Sequence, residues 1–389
     1  MSRAAVLCGL GAWVPPTVVD NDQLARDLDT SDEWIRTRTG IARRRIAGPG
    51  LATSDLAAEA GRRALESARR TAASTGAPGP QVDLVVLATS TPDQPCPATA
   101  PQVAHRLGLG TVAAFDVAAV CTGFIYALAT AASMIVAGCA RSALVIGADT
   151  FSTILDPADR TTRAIFGDGA GAVVLRAGED TEPGALLAFD LHSDGAGHEL
   201  ITVPGGGARE RSLRTDNEAA WNRYFTMQGR AVFTEAVVHM SDSVRTVLDR
   251  TGWGSAQLDR LVAHQANLRI LRAVGGQLDL DERQVVTNLD EVGNTVAASI
   301  PLALADAAAD GNLRPGHRVA LTGFGGGVTW GSAALTWPRL TLAADAPEPE
   351  GTRLTEEAAH FTEEGAHFTE EGAHFTERTD RTDDKENLS

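Results

Sequence analysis

The chain has 389 residues, of which 43% are hydrophobic and 22% charged, a composition typical of a globular protein with one large core or two of ordinary size. Its formal net charge of −16 argues against nucleic acid as a natural partner. No apolar run approaches the ~18 to 20 residues that are needed to cross a bilayer, so we expect no membrane partner.

The first half alternates strand-like and helix-like segments. Residues 4–14 are predicted to form a strand and not a secretion signal, because they contain Gly-Leu-Gly, precede two prolines and lack a cleavage site. Further strands are predicted at 83–89, 143–147 and 172–175, and helices at 54–70, 99–107 and 122–136. This alternation is typical of an α/β protein.

Cys121 is the most informative residue of this half. It follows a strand-like run that contains Phe115, and the helix pattern of 122–136 begins directly after it. At a helix N-terminus, unpaired N–H groups and the helix dipole favour a thiolate and lower the thiol pKa from about 8.5 toward neutrality. The sequence therefore predicts a nucleophilic cysteine, with a buried structural cysteine as the alternative.

The second half repeats this alternation. Helices are predicted at 230–251 and 268–277, and strands at 258–263, 318–322 and 332–337. His264 follows the strand 258–263, and Asn294 lies in a glycine-containing turn before an alanine-rich helix. Polar side chains at the ends of elements can converge on one site. A single His or Asn in such a turn is more often a capping or turn residue.

The polar segment 177–183 suggests two halves, 1–177 and 178–340, followed by an acidic tail over 341–389. In the tail, His-Phe-Thr-Glu recurs at His360, His367 and His374. One Phe per heptad makes a poor coiled-coil seam, and this histidine spacing lacks the usual close pair of metal ligands. We therefore expect a disordered tail and no metal site.

The four cysteines, at 8, 96, 121 and 139, show neither metal-ligand spacing nor a disulfide framework. This pattern favours a reduced, cytoplasmic setting.

Several motifs together resemble one family. The sequence reads Ala263-His-Gln-Ala-Asn, Glu291-Val-Gly-Asn-Thr, Thr30-Ser-Asp-Glu-Trp-Ile-Arg, Ile165-Phe-Gly-Asp-Gly-Ala-Gly, Val203-Pro-Gly-Gly-Gly and Gly323-Phe-Gly-Gly-Gly. In order and local detail these motifs resemble the β-ketoacyl-acyl carrier protein synthase III family, decarboxylating condensing enzymes of the thiolase superfamily. The resemblance implies a duplicated, five-layered α-β-α-β-α fold with two pseudo-symmetric halves.

The resemblance also implies roles in catalysis. Cys121 would attack an acyl-coenzyme A thioester, and the backbone N–H groups of Cys121 and Gly326 would form the oxyanion hole. His264 and Asn294 would stabilise the enolate that forms as malonyl-acyl carrier protein loses CO₂. Phe324 would form an apolar wall of the malonyl pocket, with simple core packing as the alternative.

Coenzyme A is implied as part of a substrate, and no permanently bound cofactor is expected. Trp34 would stack on its adenine, and Arg38, Arg160 and Asn267 would contribute to the same site. Taken singly, each could equally be a surface or packing residue.

Carrier-protein docking is implied at Arg269 and Arg272. The family often carries lysines on this face, where the present chain has Thr234, Gly276 and Gln277. This departure suggests a weaker interaction or a different carrier.

A second departure concerns Cys96. In the family, an aromatic residue at this place crosses the dimer interface and caps the acyl channel of the partner. A cysteine is smaller, so we expect a deeper channel and starters longer than acetyl or branched, unless another side chain fills the gap.

The sequence thus predicts a cytoplasmic, homodimeric condensing enzyme that joins an acyl-coenzyme A starter to malonyl-acyl carrier protein. The alternatives are a starter enzyme that primes a polyketide pathway and a non-decarboxylating acyltransferase of the same fold. A non-catalytic partner subunit of a synthase complex is the alternative from another class of protein.

Overall fold

The computed structural model describes residues 2–212 and 221–343. The chain divides into two units, Met1–Ala344 and Asp345–Ser389. The predicted tail and its histidine repeat lie outside the described residues. Leu342 packs against the core of the first unit, and the backbone N–H of Thr341 donates to Thr71 Oγ1 at 2.9 Å. The folded body therefore extends slightly beyond the predicted boundary at residue 340.

The described residues form strands β1 (Arg3–Trp13), β2 (Val18–Asp20), β3 (Arg43–Arg45), β4 (Leu84–Ala88), β5 (Ala113–Val117), β6 (Ser142–Asp149), β7 (Gly169–Glu179), β8 (Leu186–Ser193), β9 (Ile201–Thr202), β10 (Thr226–Met227), β11 (Arg260–Ala263), β12 (Arg318–Gly325) and β13 (Thr329–Thr336).

The helices are α1 (Asn21–Asp27), α2 (Asp32–Thr39), α3 (Thr53–Ser74), α4 (Ala100–Arg106), α5 (Gly123–Val136), α6 (Arg160–Arg163), α7 (Ala208–Ser212), α8 (Gly229–Thr251), α9 (Leu268–Gln277), α10 (Leu289–Val292) and α11 (Ser299–Ala309).

Two larger sheets organise the molecule. The first has the strand order β1-β7-β6-β4-β5, in which β4 runs parallel to β5 and β6, and β7 runs antiparallel to β1 and β6. The second has the order β11-β12-β13-β8, with β11 and β12 parallel and the other pairs antiparallel. Strands β4 and β6 are buried throughout, as expected for sheets that are covered on both faces.

Helices separate and cover the sheets in five layers. Helix α3 packs on the outer face of the first sheet, against β1, β6 and β7. Helices α5 and α11 lie between the sheets, since each contacts strands of both, and α8 covers β12, β13 and β8 on the far side. The order is therefore helix, sheet, helix, sheet, helix, with the largest apolar core between the sheets.

The predicted elements are present with small shifts at their ends. The first predicted strand is β1, the predicted helix 54–70 is α3, and the predicted helix 268–277 has the observed bounds of α9. The paired strands β2 and β3, helices α1 and α2, and strand β8 were not predicted. The segments of β2, β3, α1 and α2 are short or rich in charged residues, so their apolar periodicity is weak. Strand β8 is different, since its eight residues are mostly apolar.

The division near residue 177 stays a prediction. Residue 177 lies inside β7, where it pairs with Ala5 of β1, and the connection to the second sheet covers residues 180–185. The predicted turn therefore begins a few residues later, because pairing with β1 keeps the polar end of β7 extended.

Candidate active site

Cys121 lies where a strand of the first sheet leads into the central helix layer. It occupies a single 3-10 turn, Val120–Thr122, between β5 and α5. Helix α5 begins two residues later at Gly123, so the thiol stands at a helix start, as predicted. The residue is only 7% exposed, and its side chain lines a small internal cavity.

The expected lowering of the thiol pKa is wrong. Burial raises the pKa of the Cys121 thiol, the negative charge of Asp149 raises it further, and only the residue's own backbone N–H lowers it. Removal from water disfavours the charged form, and here this cost outweighs the helix start. The resting side chain is therefore the neutral thiol, which must lose its proton as it attacks.

His264 directly follows β11, as the sequence predicts, and is 2% exposed. Its Nδ1 atom lies 2.6 Å from Ser299 Oγ. Burial lowers the pKa of the imidazole to about 3, against a smaller opposite effect of a hydrogen bond with the Val296 backbone. His264 is therefore neutral near pH 7 and can donate from one ring nitrogen only.

Asn294 follows α10 and Gly293, and precedes the 3-10 turn Val296–Ala298 and α11. Its backbone N–H donates to Ile165 O at 2.9 Å, and its carbonyl accepts from Gly167 N at 3.0 Å. Its side-chain Oδ1 accepts from Val296 N at 2.9 Å. Because the oxygen is held in this way, the Nδ2 amide group remains as the donor toward the cavity.

The three predicted residues meet at one cavity of about 40 Å³, which Cys121, His264 and Asn294 all line. Phe324, from β12, lines the same space and is 4% exposed. An acyl acceptor, two neutral donors and an apolar ring thus share one closed space. This grouping is suited to acyl transfer and to the stabilisation of an enolate oxygen.

The glycine run after Phe324 passes close to the nucleophile. A Cβ atom on Gly325 would lie 2.9 Å from the backbone N of Cys121, so a larger residue would push the two segments apart. The next residue is Gly326, the predicted second donor of the oxyanion hole. Because Gly325 lies close to Cys121, Gly326 is also near the nucleophile. Its role in the oxyanion hole remains a prediction.

Three phenylalanines form the apolar wall of the cavity. The ring centroids of Phe151 and Phe166 lie 4.7 Å apart, and that of Phe225 lies 5.0 Å from each. All three pack in one buried cluster with Cys121. They come from separate parts of the chain, so no local pattern in the sequence could have identified this wall.

The predicted coenzyme A residues are partly brought together. The guanidinium carbon of Arg38 lies 4.5 Å from the Trp34 ring centroid, and that of Arg160 lies 5.3 Å from it. Arg160 also pairs with Asp29 at 2.8 Å. An aromatic ring between two cations can hold a phosphate-bearing aromatic ligand, but binding here remains a prediction.

The remaining predicted binding residues have contacts within the chain. Asn267 caps α9 by accepting from Arg269 N at 2.8 Å, and its Nδ2 donates to Arg38 O at 3.0 Å. The side chain of Arg269 donates to Thr37 O at 2.9 Å, and Arg272 pairs with Glu282 at 2.9 Å. These contacts join α9 to α2 and to the 3-10 turn Glu282–Gln284 that follows α9. The roles of Arg269 and Arg272 in carrier docking stay predictions.

Cys96 is exposed and does not line the cavity of its own chain. The role of Cys96 across an interface stays a prediction. The phenylalanine wall, however, fills the space beside Cys121 within the chain itself. These rings weigh against a deep channel, because they occupy space beside Cys121 whatever the size of the cap.

Sequence analysis missed two polar residues beside the site. Ser299 contacts His264, and the buried carboxylate of Asp149 reaches Ala297 N at 3.0 Å. An acidic residue at the end of the otherwise apolar strand β6 was the available signal for Asp149.

Within residues 2–212 and 221–343, no three His, Cys, Asp or Glu side chains are grouped to hold a metal ion. No helix in this described part is long and apolar enough to cross a membrane.

Comparison with known proteins agrees with this geometry. Residues 115–195 match the family described as 3-oxoacyl-[acyl-carrier-protein (ACP)] synthase III, and residues 248–337 match its C-terminal part. A Streptomyces coelicolor protein named beta-ketoacyl-[acyl-carrier-protein] synthase III 5 is 60% identical over 341 residues, which are 88% of this chain and 99% of that protein.

Two solved structures are also similar. The crystal structure of 3-oxoacyl-(acyl carrier protein) synthase III from Pseudomonas aeruginosa is 56% identical, with a TM-score of 0.78 over 87% of this chain and 99% of that one. The priming beta-ketosynthase of the R1128 polyketide pathway is 32% identical, with a TM-score of 0.78 over 87% and 97% of the two chains. The predicted duplicated five-layered fold is confirmed.

Proposed function

The chain belongs to the 3-oxoacyl-[acyl-carrier-protein] synthase III family of acyl-transferring condensing enzymes, and we propose that it joins a short acyl-coenzyme A starter to malonyl-acyl carrier protein. One observation carries the proposal. Cys121, His264 and Asn294 line a single cavity, and neighbouring residues, Ser299 and Val296, hold the two donors.

In the first half-reaction, the sulfur of Cys121 attacks the acyl carbonyl carbon of the coenzyme A thioester. A new carbon–sulfur bond forms, the bond to the coenzyme A sulfur breaks, and the proton of Cys121 leaves with coenzyme A as its thiol. The backbone N–H groups of Cys121 and Gly326 stabilise the tetrahedral oxyanion. Because burial raises the pKa of the Cys121 thiol, proton loss accompanies attack and does not precede it.

In the second half-reaction, malonyl-acyl carrier protein loses CO₂ as the bond from its α-carbon to the carboxylate breaks. The electron pair moves toward the thioester oxygen, where His264 and Asn294 donate hydrogen bonds. The carbanion then attacks the acyl carbon on Cys121, and the carbon–sulfur bond of the acyl-enzyme breaks. The departing Cys121 thiolate takes up a proton from solvent, so the products are a 3-oxoacyl-acyl carrier protein, CO₂ and the restored thiol.

The size of the cavity supports a short starter. The cavity of about 40 Å³ is lined beside Cys121 by Phe151, Phe166 and Phe225, and this limited space favours an acyl group of a few carbons. Longer starters require one of these rings to move.

The open edge of the first sheet supports a homodimer. Strand β5 lies at the edge of that sheet, and in the described part of the chain it pairs only with β4. An open edge of a sheet is a site for pairing with another strand, and two copies of β5 can pair about a twofold axis. The loop with Cys96 lies in the segment between β4 and β5, so its approach to a partner's cavity belongs to this proposal.

Coenzyme A itself is proposed to bind as part of the substrate at Trp34, Arg38, Arg160 and Asn267, and carrier protein at Arg269 and Arg272. The four cysteines are free, which supports a reduced, cytoplasmic setting.

A starter enzyme for a polyketide pathway is the second candidate function. The 32% identity to a priming beta-ketosynthase across most of both chains favours it. Both candidates use the same chemistry and differ in the acyl and carrier partners. The retention of both Asn294 and His264 weighs against a non-decarboxylating acyltransferase. The grouping of Cys121, His264 and Asn294 at one cavity weighs against a non-catalytic subunit.

The test combines mass spectrometry with product analysis. Purified protein is mixed with acetyl-, butyryl- or hexanoyl-coenzyme A, and its intact mass is measured before and after addition of malonyl-acyl carrier protein. We expect an acyl adduct on Cys121, followed by a 3-oxoacyl product and CO₂. Cys121→Ala should form no adduct, whereas Cys96→Ala and Cys139→Ala, at exposed cysteines, should still form it. An equal adduct on Cys121→Ala would refute the proposed nucleophile.

A further inference from the structure

A buried carboxylate behind the cavity has no part in the steps above. Asp149 ends β6 and is fully buried. Its Oδ1 accepts from Ser90 N at 2.7 Å and from the hydroxyls of Thr89 and Thr91, each at 3.2 Å. Its Oδ2 accepts from Ala297 N at 3.0 Å. No ion pair joins it to a basic side chain in the described residues, so these four donors hold it in place.

The hydrogen bond from Ala297 N connects Asp149 to the turn that carries the two proposed donors. Ala297 lies in the 3-10 turn Val296–Ala298, between Asn294 and Ser299. Together with Asn294, Thr295 and Ser299, the first residue of α11, it forms what we call the 294–299 turn. Here Val296 N holds Asn294 Oδ1, the Val296 backbone bonds with His264, and Ser299 Oγ contacts His264 Nδ1. The orientation of both proposed donors therefore depends on this one turn.

The turn has a conformation that needs support. Val296 has φ of 52°, in the left-handed region that a β-branched residue rarely adopts. Such a conformation persists only where surrounding contacts hold it. The turn also packs tightly on β6, because a Cβ on Gly147 would lie 2.2 Å from Ala297 O.

We propose that Asp149 is a positioning residue, which holds the 294–299 turn against the first sheet and so orients Asn294 and His264 toward the malonyl thioester. The proposal rests on the proposed function and adds a residue outside the cavity to it. Asp149 does not line the cavity and is not a catalytic residue.

Asp149 also connects the turn to the nucleophile. Its charge raises the pKa of the Cys121 thiol, and burial raises the pKa of Asp149 itself to about 7 despite its four donors. Removal of this charge at constant shape should therefore make the thiol more acidic. This shift reports the charge of Asp149 at the thiol, whereas the ratio of the two half-reactions reports the orientation of Asn294 and His264.

The test is Asp149→Asn in the full chain. An amide has one oxygen where the carboxylate has two, so either Ala297 N or the donors at residues 89–91 lose their acceptor. We expect decarboxylation of malonyl-acyl carrier protein, measured as CO₂ release, to fall about tenfold or more. Acylation of Cys121 by acetyl-coenzyme A should stay within about threefold of wild type.

Alkylation of Cys121 by iodoacetamide provides the readout that does not depend on either half-reaction. Its rate, followed against pH, should shift to lower pH in Asp149→Asn. The matched control is Asp83→Asn, which alters a carboxylate that accepts from two backbone N–H groups, Arg141 and Ser142, at the opposite end of β6. It should leave the alkylation profile and the ratio of the two half-reactions unchanged.

If Asp149→Asn does not fold, Thr89→Val removes one hydroxyl donor to Oδ1 and keeps the charge. It should reduce decarboxylation more than acylation, with no shift in alkylation. Equal loss of both half-reactions in a folded variant, loss of neither, or an unshifted alkylation profile in Asp149→Asn would overturn the inference. Absence of both half-reactions in the wild type would instead refute the proposed function. In that case the alkylation profile would still test whether the charge of Asp149 acts on the Cys121 thiol.

Discussion

The Nδ1 atom of His264 and the Oγ atom of Ser299 lie 2.6 Å apart in a fully buried setting. Ser299 Oγ also lies 3.4 Å from the backbone N–H of Gln265, which can donate to it. With its oxygen accepting there, the serine hydroxyl can donate to Nδ1. In this tautomer the single hydrogen of the neutral imidazole is on Nε2, from which His264 can donate to a substrate oxygen.

Ser299→Ala should therefore weaken the decarboxylation step. Without the hydroxyl, His264 no longer has its preferred tautomer fixed, and we expect CO₂ release from malonyl-acyl carrier protein to fall about tenfold. Acylation of Cys121 should change much less. Ser142→Ala is the matched control, because Ser142 is a buried serine that bonds to Leu175 O at the other end of β6. Equal rates of decarboxylation in both variants would refute this role.

Asn294→Asp tests the proposed amide donor. The carboxylate can still accept from Val296 N, but it lacks the Nδ2 hydrogens that face the cavity. We expect decarboxylation to fall about 10²-fold or more, while acylation by acetyl-coenzyme A is largely retained. The two half-reactions are measured separately, with Asn294→Ala alongside. If acylation fell as far as decarboxylation in a folded variant, Asn294 would not be specific to the second step.

Phe151→Leu should widen the acyl cavity. Phe151 contacts both other rings of the wall, so a smaller side chain opens space beside Cys121. Each methylene that gains an apolar site contributes about 0.8 kcal/mol, so the ratio of kcat/KM for hexanoyl- to acetyl-coenzyme A should rise by about tenfold or more. Phe233→Leu, on an exposed ring of α8, should leave the ratio unchanged. A ratio that does not move in Phe151→Leu would show that this ring does not limit the starter.

Cys96→Phe tests the predicted cap across the proposed dimer interface. A phenyl ring that reaches the partner's channel should shift preference toward acetyl and away from longer chains, again by about 1 kcal/mol per excluded methylene. The measurement is the same kcat/KM ratio for hexanoyl- and acetyl-coenzyme A. No change would mean that Cys96 does not face the channel, and that the phenylalanine wall alone sets starter length.

The stability of the fold should depend on His264 at acidic pH. Burial lowers its pKa in the folded protein to about 3, from an ordinary value of 6.5, so between these values the unfolded chain binds a proton that the folded chain does not. This contribution to stability is full above pH ~6.5 and is lost as the pH falls toward ~3. His264→Gln should therefore show a smaller fall in Tm between pH 7 and pH 4 than wild type, beyond any constant offset.

His105→Gln is the control for this comparison, because His105 is an exposed residue of α4. Its Tm should follow the wild-type pH dependence. An equally steep acid loss in His264→Gln would show that other groups dominate.

The apolar periodicity and the motifs of the sequence were sufficient for most of the fold. The period-two and helical patterns located β1, β4, β6, α3 and α9, because these elements have continuous buried faces that dominate their sequence. Cys121, His264 and Asn294 could be identified because each follows a buried strand or precedes an apolar helix, where local sequence already places a polar group at an end.

Only the tertiary structure decided how these groups are surrounded. The sequence predicted an acidic thiol at a helix start, but the folded chain buries Cys121 beside Asp149, and desolvation reverses the direction of the pKa change. Phe151, Phe166 and Phe225 meet only through folding, so the size of the cavity could not be read from any single segment. Local sequence determines which side chains stand at the ends of elements. Burial, charge and cavity volume depend on contacts between distant segments, and these exist only in the folded chain.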